Sequence, residues 1–118
     1  MKIREEYTCP LELTHDITKG KWKPIILWQL QNGNCSLANL EKSIQGISQK
    51  MLIEQLKELL EYGMIGKRTF DGYPLKVEFF LVERGRKMLE AITIMQQIGI
   101  ELMKENGMEE VLKKNGFL

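Results

Sequence analysis

The sequence is poor in the residues that most often carry chemistry. Histidine occurs once, at His15, which leaves little scope for a base–nucleophile pair. No P-loop, no G-x-S-x-G and no H-E-x-x-H is present, so catalysis is not expected. Cysteine occurs twice, at Cys9 and Cys35. Two cysteines do not make a disulfide framework, and free thiols are expected. With His15 they match no zinc spacing, so neither metal nor other cofactor is expected. Long apolar runs are also missing. Even Ile25 to Leu27 with Trp28, which no run exceeds, falls far short of the ~18 residues a membrane span needs. Met1 to Thr8 is charged and lacks an apolar stretch, so no secretion signal and a cytoplasmic location are expected. Charge of one sign is absent too: 17 basic and 16 acidic residues leave a net charge of +1. A neutral total neither supports nor excludes nucleic acid, because a local basic face can hide in it.

What is present is the composition of an ordinary globular chain: 43% hydrophobic and 28% charged in 118 residues, enough for one domain. The charge is uneven. From Lys19 to Lys76 there are nine basic residues against five acidic ones.

Turn signals divide the chain. Cys9-Pro10 opens a short helix, Leu11 to Thr18, which Lys19-Gly20 interrupts. Pro24 starts a second helix through Leu30, dense in apolar residues and therefore buried. Asn32-Gly33-Asn34 is a turn that also takes in Cys35. Ser36 suits the N-cap of a third helix running to Gln45, with Leu37, Leu40 and Ile44 at i, i+3 and i+7. After Gly46-Ile47, Ser48 caps a fourth helix to Tyr62, where Leu52, Leu56, Leu59 and Leu60 form one stripe. The period then changes. Ile65 to Phe70 and Lys76 to Val82 flank the turn Asp71-Gly72-Tyr73-Pro74 and predict a two-stranded hairpin. A long helix follows from about Arg84 to Asn106, and a short one from Glu109 to Lys114.

Helix, helix, helix, hairpin is the winged helix-turn-helix order. The expected fold is therefore mainly α with a small β-hairpin. Residues 1–18 form an N-terminal arm and helix, 19–82 the DNA-binding core, and 83–118 dimerisation helices. The fourth helix buries its leucines and leaves its other face for a major groove, which is wide enough to take a helix. The candidate DNA contacts are Ser36, Ser48, Gln49, Lys50, Met51 and Glu54 from the helices, and Lys67, Arg68, Tyr73 and Lys76 from the hairpin. Glutamine fits adenine, and lysine reaches guanine or phosphate. Hairpin contacts position rather than specify.

The chain resembles the HxlR family of bacterial transcription regulators, winged-helix relatives of the MarR group. The resemblance lies in Cys9-Pro10-Leu11, then Gly20-Lys21-Trp22 leading into Ile25-Ile26-Leu27, and then Gly46-Ile47-Ser48-Gln49-Lys50-Met51-Leu52 running into Leu56-Lys57-Glu58-Leu59. Tyr62-Gly63-Met64-Ile65, Val77-Glu78-Phe79-Phe80-Leu81 and Arg84-Gly85-Arg86 complete it, over about residues 7 to 105. The chain departs from the family at Met64, where leucine or valine is common, and in a short wing with Pro74 as its one proline. The resemblance implies a homodimer that binds double-stranded DNA.

The long helix points to the same dimer. Met88, Leu89, Ala91, Ile92, Ile94, Met95, Ile98, Ile100, Leu102 and Met103 cover more of its girth than one packing face needs. Part of that excess is expected to pack under the N-terminal helix, and the rest against a second copy. Two-fold symmetry would set the recognition helices about 34 Å apart, on a pseudo-palindrome with half-sites roughly 10 bp apart. Cys9 at a helix start is in a position where the helix dipole favours a thiolate. Some HxlR-type regulators have a similar cysteine and use it to sense oxidants, quinones or aldehydes. Cys9 is accordingly the candidate redox-sensing residue, answering an electrophile or small-molecule effector, alone or through a disulfide to Cys35 or a partner subunit. An inert, partly buried Cys9 is the alternative. A different class also stays open: a protein–protein adaptor that uses the same fold and the apolar C-terminal helix without DNA.

Overall fold

The computed structural model describes residues 2–72, 74 and 76–118. Its elements run α1 (Pro10–Thr18), α2 (Trp22–Gln29), β1 (Cys35–Ser36), α3 (Leu37–Ser43), α4 (Gln49–Glu61), β2 (Ile65–Phe70), β3 (Lys76–Leu81), α5 (Glu83–Glu105) and α6 (Glu109–Lys114). The fold is mainly helical with a small antiparallel sheet, a winged helix-turn-helix.

The core follows from the apolar spacing. Ile26 and Leu27 of α2, Leu40 of α3, and Leu52, Leu56 and Leu59 of α4 are essentially inaccessible to water. The helix α2 begins at Trp22, two residues before Pro24. Proline is tolerated there because the first-turn N–H groups have no intrahelical partner. The helix α3 ends at Ser43 rather than Gln45, since Ile44 already has extended backbone. Gly46 then takes φ +86°, a left-handed conformation that favours glycine and reverses the chain into α4. Ser36 and Ser48 act as the expected N-caps. Their hydroxyl oxygens accept from the N–H groups of Asn39 and Met51, each at 3.1 Å.

The sheet corrects the expected two-stranded hairpin. It has three strands in the order β1-β3-β2, all antiparallel. Cys35 pairs with Phe79 and Ser36 with Glu78, so Cys35 lies in a strand, not in the turn. The hairpin register pairs Ile65 with Leu81 and Phe70 with Lys76. One face of the hairpin buries Ile65, Phe79 and Leu81. On the other face the Phe80 ring lies over Gly66, where any side chain would meet it.

Three contacts lock α5 to the end of α4 and the start of the wing. Arg84 Nη1 donates to the Tyr62 carbonyl at 2.7 Å, beneath Gly63. The Val82 N–H donates to the Met64 carbonyl at 3.3 Å. Gly85 packs on that same carbonyl so closely that a Cβ would sit 1.9 Å from its oxygen. Beyond this seam α5 packs on the core through Met88, Leu89 and Ile92, and it extends past the core only after Ile92. The radius of gyration, 15.8 Å, exceeds the ~13.5 Å expected of a compact chain this long.

Candidate nucleic-acid interface

The outward face of α4 is set by its leucine stripe. With Leu52, Leu56 and Leu59 buried, helical spacing turns Gln49, Lys50, Ile53, Glu54, Lys57 and Glu61 to solvent, and all six are exposed. Met51 is half-buried and packs against the core, where its sulfur accepts from Gln55 Nε2 at 3.3 Å. It lines the edge of this face rather than its centre. Ser48 is exposed at the start of the helix, its hydroxyl engaged as the cap.

The helix is anchored from behind by an ion pair. Lys23 of α2 is almost fully buried, and its Nζ donates to Glu58 Oε1 at 2.8 Å. A buried ammonium requires such a partner. Lys23 in turn holds the Glu58 carboxyl below its ordinary range, first through the hydrogen bond and then through its charge. This pair ties α4 to α2 on the side away from its open face.

The wing gathers some of the expected contacts and separates others. Arg68 and Lys76 share one face of the hairpin, and both cations approach the Phe70 ring, at 4.9 and 5.8 Å from its centroid. Lys67, one residue away, points to the opposite face and is exposed. Lys76 also pairs with Glu78 at 3.4 Å. Glu78 stands opposite Ser36 and accepts from Asn34 Nδ2 at 3.4 Å. Ser36 is therefore a half-buried capping residue beside a carboxylate. Tyr73 lies outside the described residues. The sequence reading also missed Ile53 and Lys57 as members of the α4 face. The signal was there: Lys57 is seven residues from Lys50, and Ile53 is out of phase with the leucines.

The two thiols differ in setting. Both are free. Cys9 is exposed at the start of α1, and its N–H donates to Glu12 Oε1 at 3.0 Å. Thr8 donates to the same oxygen from both its N–H and its hydroxyl, so the Glu12 carboxylate already occupies the positive end of this helix. Arg4 clasps the arm to α1, reaching Asp16 at 2.8 Å and Glu12 at 3.3 Å with its guanidinium over Tyr7. Cys35 is half-buried, and burial followed by the Glu78 carboxylate pushes its thiol up. His15 is exposed, and no cluster of metal-ligating side chains occurs among the described residues.

Two further features complete the surface. A cleft of about 640 Å³ opens between α2, the end of α3, α5 and the C-terminal tail, walled by Ile25, Trp28, Ile44, Met95 and Phe117. On α5, Ile94, Met95, Ile98 and Leu102 are exposed, and among the described residues none covers them. No helix among the described residues is long and apolar enough to cross a membrane.

Known proteins share this architecture. MalR of Fusobacterium mortiferum, assigned as a regulatory protein, is 37% identical over 102 residues, covering 86% of this chain and 96% of its own. A transcriptional regulator of Porphyromonas gingivalis W83 assigned to the MarR family superposes with a TM-score of 0.76 at 36% identity, covering 86% of this chain and 98% of its own. The redox regulator HypR, in its oxidised form, superposes with a TM-score of 0.75 at 32% identity, covering 79% and 96%. None of these is named as an enzyme. With the sequence pattern of the HxlR-like helix-turn-helix matching residues 17–107, the chain belongs to that family of transcriptional regulators.

Proposed function

We propose that the protein acts in the cytoplasm as a homodimer that binds double-stranded DNA, with α4 in the major groove and the wing on the flanking backbone. The observation that carries this reading is the division of α4: Leu52, Leu56 and Leu59 are buried while Gln49, Lys50 and Lys57 stand on its open face. Gln49 and Lys50 in its first turn supply base contacts, and Lys57, Arg68 and Lys76 supply phosphate contacts. Glu54 faces outward as well and is the group suited to accept from a cytosine amino group. The uncovered residues of α5 give the second copy its seat, and two-fold symmetry makes the operator a pseudo-palindrome.

The regulated input in this reading is a thiol. Cys9 is exposed and Cys35 is shielded, so an electrophile with an activated carbon–carbon double bond adds to Cys9 first. The thiol gives up its proton, its sulfur bonds to one carbon as the π bond breaks, and the proton goes to the other. A non-covalent effector would instead enter the cleft beside Trp28.

The test is duplex binding by fluorescence anisotropy, using the intergenic DNA beside the protein's own gene, in reducing buffer at several salt concentrations. Tight binding that falls steeply with salt and resists unrelated DNA is expected. The adaptor reading predicts no salt-dependent duplex binding, and that result would replace this proposal. A mild electrophile should then shift the affinity of the wild type and not of Cys9→Ser. If both respond alike, Cys9 is not the sensor.

A further inference from the structure

Ile53 is the large apolar side chain that α4 leaves in water; it is 38% exposed among the described residues. Nothing in the core needs it, because Leu52, Leu56 and Leu59 already close the inner face. It also does nothing for the helix itself, since a β-branched residue is a weaker helix former than leucine or glutamate. Its position is central. Ile53 is one turn from Gln49, three residues from Lys50 and one turn from Lys57, so it sits in the middle of the polar face.

Its isolation narrows what it can meet. The exposed apolar residues of α5 come as a stripe, Ile94, Met95, Ile98 and Leu102, as a protein partner requires. Ile53 stands alone among Gln49, Lys50, Glu54 and Lys57, too small a patch for a protein interface. A major groove offers one apolar group on its base edges, the 5-methyl of thymine. Gln49 adds the complement. Glutamine pairs with adenine N6 and N7, and thymine is the base opposite adenine. One helical turn is about 5.4 Å and one base-pair step about 3.4 Å, which places Ile53 within one or two base pairs of the one Gln49 reads.

We propose that Ile53 determines specificity by contacting a thymine methyl group in each half-site, within one or two base pairs of the adenine read by Gln49. This rests on the reading of α4 as the groove helix.

The experiment begins with the full-length protein in reducing buffer and a duplex pool of random sequence, from which its preferred site is selected. Each thymine of that site is then replaced in turn by deoxyuridine, which removes the methyl and nothing else. For the wild type, one position per half-site should weaken binding about fourfold, the value of one buried methyl group. Replacing both symmetric positions should weaken it roughly fifteenfold. Ile53→Ala should bind the thymine and uracil sites equally at those positions, with an unchanged salt slope and melting temperature. Indifference of the wild type to every uracil substitution overturns the proposal without any appeal to a variant. So does an Ile53→Ala protein that remains as methyl-sensitive as the wild type. If the pool yields no preferred duplex, the groove reading of α4 fails and this inference fails with it.

Discussion

The helices α4 and α5 are both amphipathic, yet they leave opposite things in water. On α4, Leu52, Leu56 and Leu59 are buried, Met51 and Leu60 are half-buried against the core, and the open face carries amide, ammonium and carboxylate groups with Ile53 among them. On α5 the open face carries Ile94, Met95, Ile98 and Leu102, each at least half exposed. Burial of such residues is worth about 1.5–3 kcal/mol apiece, so leaving four of them wet is a standing cost unless another surface covers them. Amphipathicity alone therefore does not tell a groove helix from an association helix. The side of the stripe that the domain's own core leaves uncovered does.

The contrast is sharpest to break at the seam that holds the start of α5 against Tyr62 and Met64, just after α4. Gly85→Ala pushes a methyl into the Met64 carbonyl and forces the α5 seam open. It should lower stability by roughly 3 kcal/mol, and the melting temperature by about 10 °C in a thermal scan. Ile98→Glu attacks the α5 face alone. It should leave the fold intact, convert a dimer to a monomer in sedimentation velocity, and weaken operator binding roughly 100-fold by uncoupling the half-sites.

Lys23→Met tests what holds α4 in place. Glu58 keeps some solvent, so the loss should be about 2 kcal/mol rather than that of a fully buried pair. The pH dependence has a definite sign. The folded-state pKa of Glu58 lies below its ordinary value of 4.5, so the pair's contribution is complete above that value and is lost as pH falls through the lower folded value. The melting-temperature gap between wild type and Lys23→Met should therefore narrow below about pH 4.5. Lys50→Ala touches only the open face of α4. It should leave stability unchanged, weaken DNA binding about tenfold, and relax specificity at the base pair Lys50 contacts.

Much of this was legible in the sequence because it is local. Ser48 before a leucine stripe and Gly46 before Ser48 are sufficient to place α4, and the apolar excess of α5 is readable residue by residue. The strand β1 was not legible, because two residues cannot display a period of two. The start of α2 was misplaced because proline in a first turn looks the same whether it stands at the first position or the third. The deepest omissions are non-local. Lys23 and Glu58 lie 35 residues apart, and on their own helices each reads as an ordinary surface charge. The need for glycine at position 85 depends on a carbonyl 21 residues earlier in the chain. At the candidate interface, Gln49 and Lys50 could be named from position. The burial of Met51 and the splitting of Lys67 from Arg68 and Lys76 needed the register of the folded chain.

The seam at Gly85 also has a mechanical meaning. A 23-residue helix is about 35 Å long, and α5 is clamped at one end by Arg84, Gly85 and Val82 with no soft joint before α4. In the proposed dimer it behaves as a stiff lever whose fulcrum is the crossing of the two copies. From a crossing at Ile98 to Gly85 the arm is about 20 Å, so a change of about 10° at the fulcrum would swing that end by roughly 3.4 Å, the height of one base-pair step. A small chemical event at the dimer contact would thus be geared up into a loss of register on the DNA, without either reading head changing shape.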